Sequence, residues 1–177
     1  LLPMNEIGVT FCPYDAISSF ALEPSYISLN AAALACDKEV RAKIDRIRKF
    51  FPAGGGHVDY AVREEKRQVL WDIFIMASGA SPEFKKFAKT NKYWLDDLAL
   101  YKVIKNHSSG KPWYDWRKEY AYRDRDALSQ FEEEHRKDIT FQKWVQWALY
   151  KQFKAAKEYA VSKHVLIKGD LPILISR

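Results

Sequence analysis

The sequence predicts an α/β fold in which the chain itself is mostly α-helical. Two observations carry this. Apolar runs near the two ends, Leu1–Asn5 and Val165–Ile175, read as strands, and the second is continuous enough for a strand buried on both faces of a parallel sheet. Between them lie more than 100 residues whose apolar spacing is largely helical, broken by short Gly, Pro and Ser clusters. A parallel crossover normally needs one helix. Here the connection is long enough for a helical subdomain, so the chain divides into residues 1–35, 36–162 and 163–177.

Each element has its own signal. Residues 6–35 show little periodicity and hold Gly8, Pro13 and Pro24, which marks a long loop. From Asp37 to Phe51 the spacing of Val40, Ile44 and Ile47 is helical, with Asp37 as N-cap. Pro52-Ala53-Gly54-Gly55-Gly56 ends that helix; no Gly-Lys-Ser/Thr follows, so the glycines are a connector rather than a phosphate loop. The next helix spans Val58–Met76, with Val62, Val69, Leu70, Ile73 and Phe74 on its apolar stripe. Gly79-Ala80-Ser81-Pro82 breaks it, and Ser81 caps a short helix over 82–90 with Pro82 in its first turn. A further helix covers 93–106, through Leu95, Leu98, Ala99, Lys102 and Val103. Ser108–Pro112 is a turn. Arg125–Arg136 is a polar helix rich in Glu. Ile139–Ser162 is a long amphipathic helix with Phe141, Trp144, Val145, Ala148, Leu149, Phe153 and Ala156 on one face, ended at Lys163-His164.

Composition narrows the class. The 177 residues are 47% hydrophobic, enough to bury a core, and the 15% aromatic content is high. Flat rings serve cores and also stack on sugars and bases. The net charge of +6 permits nucleic-acid binding, but the charges are mixed in sign and spread, as on a solvated basic surface. Cys12 and Cys36 have no metal or redox spacing and read as reduced thiols of a cytoplasmic protein. No apolar run approaches the ~20 residues needed to span a bilayer, and no segment of these residues reads as a signal peptide. The chain opens on Leu1 within a strand and stops at Ser176-Arg177 just past an apolar run, so both ends read as cuts.

Four segments, in order, carry a more specific signal. The first is Leu1-Leu2-Pro3-Met4-Asn5 followed by Pro13-Tyr14, Ser18, Ala21, Pro24 and Ile27. The second is Val58-Asp59-Tyr60 with Val62, Lys66 and Leu70. The third is Tyr93-Trp94-Leu95-Asp96-Asp97, Ala99-Leu100-Tyr101, Trp113, Trp116 and Arg123-Asp124. The fourth is Ile139, Phe141, Trp144, Gln146, Gln152, Tyr159-Ala160 and Gly169-Asp170-Leu171-Pro172-Ile173. Together, across nearly the whole chain, they resemble the amylomaltase family of 4-α-glucanotransferases, close to the α-amylase clan. Two positions depart from that pattern: Cys12 stands where the family usually has Ser before Pro-Tyr, and a thiol is a poorer hydrogen-bond partner than a hydroxyl. Gly56-His57 precede Asp59-Tyr60, where other members often carry a basic residue.

The resemblance implies that the chain holds the first two strands of a (β/α)8 barrel with a helical insertion between them. It implies a retaining transglycosylase acting on maltooligosaccharides or α-1,4-glucan, with an Asp nucleophile, a Glu acid/base and a covalent glycosyl-enzyme. In the family those carboxylates lie on later strands, and residues 1–177 offer no counterpart. Glu64-Glu65, Asp96-Asp97 and Glu132-Glu133-Glu134 all fall on helices and read as solvated faces. No catalytic residue, no metal and no cofactor is therefore assigned here, and the chain on its own is expected to be inactive. The residues that carry over as substrate contacts are Tyr14, beyond the first strand's carboxyl end where barrels place their sites; Tyr60, at a helix start; Asp170, whose carboxylate inside an apolar strand implies a partner; and Asn5.

Other features have plainer explanations. Trp94, Trp113, Trp116, Trp144 and Trp147 sit at helical spacings that favour core packing. His57, His107, His135 and His164 show no metal-ligand spacing and read as surface or capping residues. The rival to a glucanotransferase segment is a stand-alone basic helical module for nucleic acid or carbohydrate without catalysis. Such a module needs a Lys/Arg recognition stripe, whereas Lys143, Lys151, Lys154 and Lys157 lie on the solvated side of one amphipathic helix.

Overall fold

The computed structural model describes residues 1–30, 37–54, 56–77 and 81–175, with Ile175 described by its backbone alone. Cys36, Gly55, Gly79, Ala80, Ser176 and Arg177 lie outside the described residues, and so do the expectations resting on them. The elements in chain order are β1 (Asp15–Ala16), α1 (Lys38–Phe50), α2 (Val62–Met76), α3 (Pro82–Thr90), α4 (Lys92–His107), α5 (Lys118–Ala121), α6 (Arg125–Glu134), α7 (Arg136–Ser162) and β2 (Leu174–Ile175). The chain is mostly helical.

The helices form where local chemistry places them. The Asp37 carboxylate accepts from the backbone N–H of Glu39 and Val40 at the start of α1, and Ser81 Oγ accepts from Phe84 N–H at the start of α3. The helix expected from Val58 begins four residues later, because the Asp59 carboxylate accepts from Ala61 N–H and holds residues 58–61 in a turn. α7 starts three residues earlier than its apolar period suggests, so only His135 separates it from α6. At its other end His164 takes a left-handed φ of 58° and Val165 N–H bonds to Ala160 O, which closes the helix at the expected place.

The apolar faces meet as three packed groups. Val40, Ile44 and Ile47 of α1, Val69, Leu70, Ile73 and Phe74 of α2, Phe84 of α3 and Phe141, Trp144, Val145 and Leu149 of α7 form the largest, with Ile27 and Leu29 of the long loop inserted. Ala99, Leu100, Val103 and Ile104 of α4 pack on Phe131 and Ile139. Trp94, Leu95 and Leu98 pack around Ala21. Trp94 and Trp144 are core residues as expected, whereas Trp113 is half exposed.

The strands differ from expectation. Leu1–Asn5 does not form one: Leu1 is 66% exposed, and the run makes only an isolated antiparallel bridge between Asn5 and Leu22. Nor is Val165–Ile175 buried on two faces, with Leu166 93% and Ile173 80% exposed. A strand forms only where a neighbour takes its hydrogen bonds. The pairing that the described residues provide is parallel and short, Asp15 to Leu174 and Ala16 to Ile175. The first strand thus begins ten residues past the end of its apolar signal, and the second is confined to the end of its run.

Candidate functional site

Residues 1–30 have almost no secondary structure of their own, yet side chains of the helices fix their path. Gln146 of α7 is 1% exposed and grips Leu22 at both backbone groups: its Oε1 accepts from Leu22 N–H at 2.9 Å and its Nε2 donates to Leu22 O at 2.9 Å. Gln152 does the same to Ser28, at 2.8 and 3.0 Å. Each glutamine thereby completes the pairing that a neighbouring strand would have given. Tyr150 Oη donates to Phe20 O at 2.7 Å.

Two buried carboxylates bind the same loop to other helices. Glu23 accepts from Ile7 N–H (3.1 Å) and Ser25 N–H (3.0 Å) and pairs with Arg63 of α2 at 3.1 Å. Glu6 pairs with Lys102 of α4 at 2.6 Å, and its second oxygen, Oε2, has no hydrogen-bond partner. Lys66 donates to Ser25 O at 2.5 Å; burial pushes its ammonium below the ordinary lysine range, and the Glu23 carboxylate offsets part of that.

This scaffold carries Tyr14 to the end of the chain. Tyr14 Oη donates to Asp170 Oδ2 at 3.0 Å, Asp170 Oδ1 accepts from Leu171 N–H at 2.9 Å, and Leu174 N–H donates to Tyr14 O at 2.9 Å. Asp170 is exposed rather than enclosed in an apolar strand, because the run around it is exposed; its partner is the phenol. The pair therefore presents a half-exposed aromatic ring beside an open carboxylate. A sugar takes both: ring faces stack on its C–H side, and carboxylates accept from its hydroxyls.

The hydrogen bond to Asp170, and then the charge of that carboxylate, push the Tyr14 phenol above its ordinary value of 10.0. The protonated form is the favoured one, so the contact is intact at neutral pH and is lost only as pH rises through the raised value. In a pH titration followed by tyrosine-resolved NMR, Tyr14 is expected to ionise later than an ordinary phenol, and Asp170→Asn to move it back down. A Tyr14 that titrates unchanged in Asp170→Asn contradicts the contact.

Asn5 and Tyr60 are placed elsewhere. Asn5 Nδ2 donates to Ser18 O at 3.1 Å and braces the loop. Tyr60 stacks on Phe11, with ring centroids 4.2 Å apart and planes 21° from parallel, and Arg63 lies 5.9 Å over the other ring. Phe11 holds a left-handed φ of 53°, which costs a bulky residue about 1–3 kcal/mol and which the stack helps to sustain. Tyr60, Phe11 and Arg63 line an open cleft of 490 Å³ that neither Tyr14 nor Asp170 borders. Sequence reasoning missed Glu6, Glu23 and Arg63, and quoted Lys102, Gln146 and Gln152 without a role in the site. The readable signal was a glutamine, Gln146, among Phe141, Val145 and Leu149 on the apolar face of α7.

A family model described as 4-alpha-glucanotransferase matches residues 1–177. The chain belongs to that family. Among curated 4-alpha-glucanotransferases it is 33% identical to that of Chlamydia caviae, over all of this chain and 34% of that protein. To that of Clostridium butyricum it is 28% identical, over all of this chain and 36% of that protein. The chain thus spans about a third of the length of these relatives. Its fold matches the amylomaltase from Streptococcus agalactiae, solved in complex with acarbose, at a TM-score of 0.79 and 26% identity, covering 98% of this chain and 35% of that one. In this chain three lysines of α7 are engaged locally: Lys143 with Asp96 at 2.6 Å, Lys151 over Trp147 at 5.4 Å, Lys154 with Glu158 at 3.7 Å. Among the described residues no helix is long and apolar enough to cross a membrane.

Proposed function

We propose that this chain is part of a cytoplasmic 4-α-glucanotransferase that moves α-1,4-glucan segments between maltooligosaccharides by a retaining double displacement. In this reading the nucleophilic Asp and the acid/base Glu lie outside residues 1–177, and the chain supplies substrate contacts. The parallel pair β1–β2 belongs to two strands of a (β/α)8 barrel, residues 36–162 are the insertion between them, and parallel neighbours are what such a barrel requires. Residues 1–35 and 163–177 are the barrel-derived flanks. No cofactor takes part.

The observation that carries the site is the Tyr14–Asp170 contact, which places a ring and a carboxylate side by side on the face next to the strand pair. Tyr14 stacks against a glucosyl ring and Asp170 accepts from its hydroxyls. Tyr60, on its stack with Phe11, flanks a longer glucan, and Asn5 holds the loop that presents Tyr14. A nucleic-acid module fits less well, because Lys143, Lys154 and Lys151 of α7 are shared with Asp96, Glu158 and Trp147.

In the enzyme that carries this chain, Tyr14→Ala is expected to lower kcat/KM for maltotriose disproportionation about tenfold, the loss of ~1.4 kcal/mol of contact. The melting temperature should stay within about 2 °C of the parent, as exposed loop positions usually allow. Unchanged kcat/KM, or a collapsed melting temperature, rejects Tyr14 as a sugar contact.

A further inference from the structure

We propose that His107, His135 and Asp138 form a binding site for a divalent transition-metal ion, with Zn2+ as the best-suited ion. The three residues offer two imidazole nitrogens and a carboxylate oxygen, all within 4.8 Å of one another. They are brought together from separate helix ends. His107 is the last residue of α4, His135 the single residue between α6 and α7, and Asp138 lies in the first turn of α7. None of the three belongs to the segments that carry the family resemblance, so the site stands apart from the glucanotransferase reading.

The site has a rigid floor. The two imidazole rings lie 4.0 Å apart between centroids, and Phe131 packs against both, at 5.5 Å from His107 and 4.2 Å from His135. Phe131 is 4% exposed and is locked into the core with Ile104 and Ile139. The backbone of His135 is held on both sides, its N–H on Phe131 O at 2.9 Å and its carbonyl by Ile139 N–H at 3.0 Å. Of the neighbouring cations, Arg136 lies 3.8 Å from Glu133, Lys137 sits over the Trp71 ring at 5.5 Å, and Arg67, held by Glu64 at 2.6 Å, is near enough to feel the Asp138 charge.

The donor set decides the ion. Two imidazoles with one carboxylate are the ligands of open zinc sites, in which a water or other small ligand completes the shell. Mg2+ and Ca2+ prefer all-oxygen shells and are poorly served here. Zinc bonds of about 2.0–2.2 Å place tetrahedral donor atoms roughly 3.3–3.6 Å apart. The observed cluster therefore needs donor movements of only about 1 Å, within reach of the exposed His107 side chain. A bound ion would tie the end of α4 to the α6–α7 junction, and so close the segment of residues 108–134 at its base.

The test is ZnCl2 titration of the tag-free 177-residue chain, by calorimetry and by thermal melting. One Zn2+ per chain is expected. At about a hundredfold excess over Kd, the melting temperature should rise by at least roughly 5 °C. His107→Gln and Asp138→Asn, both at helix-end positions, should keep the parent's circular dichroism spectrum and each weaken binding at least about tenfold. His164→Gln, outside the cluster, should leave binding unchanged. Absence of binding, binding that survives both cluster substitutions, or binding lost equally in His164→Gln overturns the proposal.

Discussion

Replacing Gln146 with leucine is expected to destabilise the chain by about 2–4 kcal/mol. The substitution keeps the apolar volume on the inner face of α7 but removes the only amide that holds both backbone groups of Leu22. A donor and an acceptor are then stranded in a partly buried setting, and each such group costs about 1–3 kcal/mol. For a chain of this size that corresponds to a fall of roughly 5–15 °C in melting temperature. Gln152→Leu makes the sharper comparison, because its pair with Ser28 is exposed and water replaces the lost bonds; a change within about 1 °C is expected there. The readout is thermal unfolding followed by circular dichroism at 222 nm. Equal effects at the two positions mean that the burial of the Gln146 clamp is not what makes it matter.

Lys102→Met is expected to cost still more, about 3–5 kcal/mol, because it leaves the Glu6 carboxylate buried without its cation. Glu6 is 2% exposed, and one of its oxygens already lacks a partner. The ion pair is thus close to the limit of what burial allows, and its desolvation is offset by a single short contact of 2.6 Å. The double variant Glu6→Leu/Lys102→Met should recover most of the loss, since a buried pair replaced by apolar groups of similar volume is often neutral or stabilising. Chemical denaturation in urea, with the slope held common to the parent and the two variants, measures this. A double variant as unstable as the single one shows that the loss does not come from leaving the Glu6 charge buried alone.

Legibility followed the range of the physics. α1 and α3 were readable with their caps because Asp37 and Ser81 act on N–H groups two or three residues away. The apolar stripe of α2 was readable because residues 69, 70, 73 and 74 share one face of one helix. Strands were not, since a strand is defined by a partner that local sequence does not contain; the apolar run at Leu1–Asn5 met no ladder, and the pairing settled at Asp15–Ala16. In the same way Tyr14 and Asp170 were both singled out by resemblance, but their contact was visible only in three dimensions. The glutamates at 6 and 23 sit in a loop without periodicity, where burial leaves no trace in the sequence. Gln146 did leave one: an amide on an apolar helix face must find a partner.

The parallel pair has a consequence for the order in which the molecule assembles. Two residues on each strand make too small a unit to persist alone. The contact that goes with them, Tyr14 to Asp170, closes a loop across 156 positions. The entropy of such a closure must be met before any bond is gained, whereas α1 against α2, or α6 against α7, closes over a short span. The helical body therefore forms first and brings the two ends within reach, and the ring-and-carboxylate surface is the last part of the chain to exist. It is also the first to be lost when the molecule loosens, so the Tyr14–Asp170 contact reports on the integrity of the helical body that brings its two halves together.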